Sequence, residues 1–214
     1  MELPNLPQLT NKETIMEHIT LFISTYIKMF FVLAPFFVMT MFLALTKDMP
    51  AQRQKKIALR VTLAVVIICI TLFFFGDTIF AIFGITLDSF RIGAGALLFL
   101  SAVELVRGTK TAVKPDLEGD ISVVPLAIPI TVGPATTGAL LILGAQMKGV
   151  TALAVGTAAL VAAILSLGTL LYLAPKVEKI IGGIGLSIMT KITGLVLAAL
   201  SAQIIFTGVK NFLS

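Results

Sequence analysis

The chain has 214 residues, of which 57% are apolar and 13% charged, and its mean hydropathy is +1.05. A soluble domain carries about 25% charged residues, so much of this surface faces something other than water, and a soluble fold is excluded. The net charge of +5 comes from basic residues set between apolar runs, where membrane topology explains them without a nucleic-acid partner.

In chain order, residues 1–18 form a polar leader with Glu2, Lys12, Glu13, Glu17 and His18. It has no basic segment leading into a short apolar run and a small-residue cleavage site, so the first apolar run is read as a retained span. His18 is the sole histidine, so no histidine-based metal or catalytic site is expected. Apolar runs near bilayer length then predict six spans, at 19–45, 59–75, 90–106, 123–143, 150–174 and 188–206. The second and third are short for a core of about 30 Å. Lys28 interrupts the first run and reaches outward headgroups, and Cys69 in the second reads as a packing residue. In the fifth, Ala152, Gly156, Ala159, Ala163 and Ser166 put small residues on one helical face, which suits close helix packing.

Eleven of the sixteen basic residues fall in the first, third and fifth loops, including Lys55, Lys110, Lys114, Lys176, Lys179 and Lys191. The positive-inside bias therefore predicts cytoplasmic odd loops and both termini outside.

Residues 91–110 and 191–210 align at an offset of 100, with identities at Ile92/Ile192, Leu97/Leu197, Leu100/Leu200, Ser101/Ser201, Ala102/Ala202, Gly108/Gly208 and Lys110/Lys210. Arg91 also matches Lys191. The fold class expected is all-α: one membrane domain of six spans, built as two three-helix repeats, about 19–110 and 121–210. An odd number of spans per repeat makes the repeats inverted, as in secondary transporters. The first span of each repeat carries a break, at Pro35 and at Pro129, Gly133 and Pro134. Interrupted segments in corresponding positions point to a binding site. Candidate substrate-binding residues are thus Pro35, Thr131, Gly133, Pro134, Ala135, Thr136 and Thr137. The threonines either satisfy freed backbone groups or offer hydroxyls to a ligand, and the N–H groups after Pro134 suit a carboxylate.

Ionisable and polar groups within spans are candidates for coupling or a polar network. Glu104 either couples to a proton or pairs with Arg107. Arg91 and Lys191 either touch substrate or reach headgroups near opposite faces. Gln203 either makes an interhelical hydrogen bond or contacts ligand.

The segments PLAIPITVGPATTGALL, FRIGAGALLFLSAVEL and IGGIGLSIMTKITGLVLAALSAQIIFTGVKNF resemble the MarC family of bacterial and archaeal inner-membrane proteins, from about Phe30 to the C-terminus. The first span departs from the family: Ala34-Pro35 followed by Phe36, Phe37 and Thr40 stands where Asn-Pro is usual, followed by glycine and a second proline. Through an archaeal branch of the family, the resemblance implies transport of small neutral amino acids such as glycine or alanine across the inner membrane, and a proton or sodium ion is the candidate coupling partner. The alternatives are export or translocation of another metabolite or lipid, and a membrane scaffold or stress protein. No metal, cofactor or nucleic acid is expected. No enzyme is expected either, because the chain lacks HExxH, a phosphate loop and a nucleophile elbow.

Overall fold

The structure is a computed structural model that describes residues 11–108 and 122–213, without the side chains of residues 11–13 and 77. Lys110 and Lys114, which entered the orientation and repeat arguments, lie outside the described residues. The described residues are helical, with no strand among them. The helices are α1 (Asn11–Val32), α2 (Pro35–Thr46), α3 (Ala51–Phe83), α4 (Leu87–Arg107), α5 (Pro134–Gln146), α6 (Val150–Tyr172) and α7 (Ala174–Leu213). Ser122–Thr131 is a wound segment entering α5, in which Val124 and Ile128 are extended rather than helical.

Among the described residues, five stretches are long and apolar enough to cross a bilayer: Thr14–Thr46, Ala51–Gly76, Leu87–Arg107, Val150–Tyr172 and Ala174–Leu213. The pair Ser122–Thr131 and Pro134–Gln146, bent by 69°, makes a sixth.

Two expected spans are longer than the sequence suggested. The second, expected at 59–75, belongs to the 33-residue α3, about 50 Å long at 1.5 Å per residue. Hydropathy marks only its apolar centre, whereas AQRQKKI at its start continues the helix with good helix formers. The sixth, expected at 188–206, lies within α7, which contains a turn at Gly182 (φ 72°). Lys176 and Lys179 therefore sit on a short helical arm before that turn rather than in a loop. Residues 14–18, assigned to the leader, belong to the first long stretch.

Exposed apolar side chains recur every four residues: Ile15, Ile19, Ile23 and Ile27 on α1; Leu59, Leu63 and Ile67 on α3; Ile180, Ile184, Ile188 and Ile192 on α7. Stripes of this length would be a liability in water and are natural against acyl chains. Polar side chains on these helices mostly return to their own backbone, as Thr20 does to the Met16 carbonyl (2.8 Å) and Thr71 to that of Ile67 (2.8 Å).

Between helices in lipid, close van der Waals packing replaces the hydrophobic effect. Helix α5 is the centre of this packing, with Ala135, Thr136 and every residue from Gly138 to Ala145 buried. It lies against α3 so tightly that a Cβ on Gly144 would stand 1.8 Å from the Phe73 carbonyl oxygen. The small face of α6 is packed inward, with Gly156, Ala159 and Ala163 buried. Ser166 on that face meets the Tyr26 hydroxyl of α1 at 3.0 Å. Cys69 is buried in the core, as its apolar run suggested.

Candidate functional site

Helix α1 stops because its register fails at Leu33 and Ala34. Ala34 takes a left-handed conformation (φ 46°, ψ 57°), which costs an L-residue about 1–2 kcal/mol. Pro35 follows at the first position of α2, where a missing N–H does no harm. A second break precedes α5: the wound segment ends at Thr131, and Gly133 then precedes Pro134 in extended geometry (φ −90°, ψ −176°).

The two breaks touch. The Thr136 hydroxyl lies 3.1 Å from the Thr131 carbonyl and 3.4 Å from the Val32 carbonyl, the last residue of α1. Thr131 donates its own hydroxyl to the Leu126 carbonyl at 2.7 Å. Both threonines are buried, so each serves carbonyls that the breaks set free, where an orphaned polar group is expensive. Thr137 is half-buried, with its amide bonded to the Gly133 carbonyl (2.9 Å). Pro35 and Ala135 are buried and Pro134 is exposed.

Beside the breaks lies a cavity of about 290 Å³ between α1, α4, α5 and α7. Its polar lining is Lys28, Arg91, Gln146, Gln203 and Thr207, and its apolar lining includes Val32, Ile142 and Leu200. Arg91 begins α4, Gln146 ends α5, and Gln203 and Thr207 lie in the last turns of α7. These polar groups therefore gather at one end of the bundle. Lys28 reaches it from one turn, about 6 Å, before the break at Val32.

Arg91 is held in place. Its Nη1 donates to Asp88 Oδ1, which also accepts from Asn211 Nδ2 at 3.3 Å. The arginine side chain is only 12% exposed, and its buried Nε–H has no acceptor. A buried donor left unpaired costs about 1–3 kcal/mol, so Arg91 keeps hydrogen-bonding capacity that no protein group uses.

Of the sequence-derived candidates, Arg91 and Gln203 line this cavity. Pro35, Thr131, Gly133, Pro134, Ala135, Thr136 and Thr137 form the adjoining breaks rather than its wall. Glu104 and Lys191 are exposed and lie elsewhere, Glu104 being thirteen residues from Arg91, about 20 Å along α4. Sequence reasoning missed Lys28, Gln146 and Thr207 as members of one site. The available signal was the position of Lys28, a cation two turns ahead of Pro35 inside an apolar run. Among the described residues, no group of three or more His, Cys, Asp or Glu side chains could hold a metal.

The model of the MarC family of integral membrane proteins matches residues 19–213. The chain belongs to the MarC family. It is 30% identical to a UPF0056 membrane protein of Pyrococcus horikoshii over 92% of this chain and 98% of that one. It is 31% identical to a UPF0056 membrane protein of Methanocaldococcus jannaschii, covering 90% and 97%. It is 30% identical to the UPF0056 membrane protein YhcE of Escherichia coli, covering 87% and 90%. No solved structure matches this MarC-family chain significantly.

Proposed function

We propose that this MarC-family protein is a secondary transporter of small neutral amino acids, or similar small polar solutes, across the cytoplasmic membrane, with a proton or sodium ion as coupling partner. The observation that carries the reading is the meeting of the two breaks, where Thr136 reaches the Val32 carbonyl beside a cavity with polar walls. Irregular backbone at bilayer depth is tolerated where protein covers it or a wet cavity adjoins it, and transporters place their sites at such pairs.

An inverted repeat requires its two third spans, in α4 and α7, to run antiparallel, and their packing agrees with that requirement. A Cβ on Gly194 would lie 2.9 Å from the Ala102 carbonyl oxygen, and one on Gly208 would lie 2.8 Å from that of Asp88. In both contacts the two residue numbers sum to 296, so the helices run antiparallel.

Counterflow in proteoliposomes tests the function. Vesicles loaded with unlabelled glycine or alanine should accumulate the labelled solute transiently, and protein-free vesicles should not. No counterflow with any small neutral amino acid, whatever the pH or sodium gradient, would defeat the proposal.

Both termini are proposed to face out. Because Cys69 is buried, it gives little background to a membrane-impermeant maleimide. In intact cells Lys148→Cys should label and Lys55→Cys should not, the reverse holding for inside-out vesicles. Labelling of Lys55→Cys from outside would invert the orientation.

A further inference from the structure

Side chains from four helices meet at the cavity, and their chemistry restricts what it can hold. Lys28 and Arg91 are its charged lining residues, and no carboxylate lines it. Asp88, bonded to Arg91 Nη1, offsets one of the two positive charges from behind. Asp88 engages Nη1 alone, and the buried Arg91 Nε–H has no hydrogen-bond partner. Gln146, Gln203 and Thr207 add neutral groups that either donate or accept.

We infer that this cavity binds a small organic solute through a single carboxylate, held between the Lys28 ammonium and the Arg91 guanidinium. Its role in transport rests on the transporter reading above, but the binding itself does not. One negative charge balances the one uncompensated positive charge, whereas a free cation meets net repulsion. A guanidinium edge presents donors in a planar fork that fits a carboxylate. The glutamine carbonyls and the threonine hydroxyl accept hydrogen bonds from the ammonium of a zwitterion. Val32 and Leu200 leave apolar wall for a short side chain. At about 30 Å³ per water, a volume of about 290 Å³ suits a small solute with some water. An anionic lipid headgroup also brings oxyanion oxygens to the site, and the test separates it.

The full chain, purified in neutral detergent, has one cysteine, Cys69, which is buried. A thiol-reactive dye therefore reports its unfolding. L-alanine and propionate are expected to raise the melting temperature, and L-alaninamide, which lacks the carboxylate, is not. In Lys28→Met the apparent Kd for L-alanine should weaken by about tenfold to a hundredfold, the size of a lost charged hydrogen bond. The charge-conserving Lys28→Arg should largely retain it. Arg91 is tested as Arg91→Gln with Asp88→Asn, so that no charge is left alone, and this variant should also weaken L-alanine binding. An equal response to L-alaninamide, an unchanged Kd in Lys28→Met, or no response to either carboxylate overturns the inference. A response confined to short-chain phosphatidylglycerol assigns the cavity to lipid and overturns it too. Binding in the expected pattern without counterflow would keep the carboxylate site and remove the transporter. Counterflow indifferent to Lys28 would do the reverse.

Discussion

Gly144→Ala should cost this protein most of its folded yield. The added methyl carbon would lie 1.8 Å from the Phe73 carbonyl oxygen and 2.9 Å from its carbonyl carbon. Both are backbone atoms of α3, so no side-chain rotation relieves the clash, and the helices have to separate. Three residues away on α5, Leu141 makes the same approach: a Cβ on Gly76 would lie 2.5 Å from its carbonyl oxygen. Separation would loosen that contact as well. Overpacking of a core costs about 1–3 kcal/mol and occasionally more, and a rigid backbone obstacle belongs at the upper end. A loss of about 3 kcal/mol corresponds to a melting temperature roughly 10 °C lower for a chain of this size. Gly93→Ala is the control, because a Cβ there meets nothing within 4 Å and should gain a little helix propensity. Thermal melts with monodispersity by size-exclusion chromatography decide it. Equal behaviour of the two variants would contradict the close α3–α5 approach.

Gly133→Val should remove transport while leaving the protein inserted. The backbone at Gly133 is extended, a geometry open to any residue and the normal one before proline. Valine is therefore not strained by its φ and ψ. The obstacle is local, since a Cβ would stand 2.9 Å from the Pro129 carbonyl oxygen, and no other neighbour comes within 4 Å. The wound segment must shift, and it carries Thr131, whose carbonyl lies near Thr136 beside Val32. Transport is expected to fall by roughly tenfold or more, an effect of about 1.4 kcal/mol on the site, with folded yield close to that of the wild type. Counterflow per mole of reconstituted protein measures the first, and chromatography the second. Full counterflow in this variant would separate the break from the transport path.

The breaks were legible in the sequence because proline announces itself: it has no N–H and a fixed φ wherever it stands. Thr131 and Thr136 were legible too, with backbone satisfaction weighed among their roles, because freed carbonyls require donors. Helix ends were not. Hydropathy sees the apolar middle of α3 and is silent about a charged end such as Arg53 to Lys56, which is helical too. The central position of α5 was hidden as well, since an apolar helix reads alike whether lipid or protein surrounds it. The cavity was the least legible part. Gln146 and Thr207 lie near helix ends, where polar residues ordinarily meet headgroups, and only the packing of four helices shows that they share a space with Lys28 and Arg91. Arg91 and Lys191 looked alike from the repeat, yet only Arg91 lines that space.

The burial of α5 also bears on how the chain enters the membrane during synthesis. Its 13 residues extend about 20 Å, short of the roughly 30 Å hydrocarbon core, and the bent segment before it leaves backbone groups that lipid cannot satisfy. Such a piece is a poor independent insertion unit and needs a protein groove to receive it. The helices that flank it, α3 and α4, lie earlier in the chain, so translation delivers the groove before its occupant.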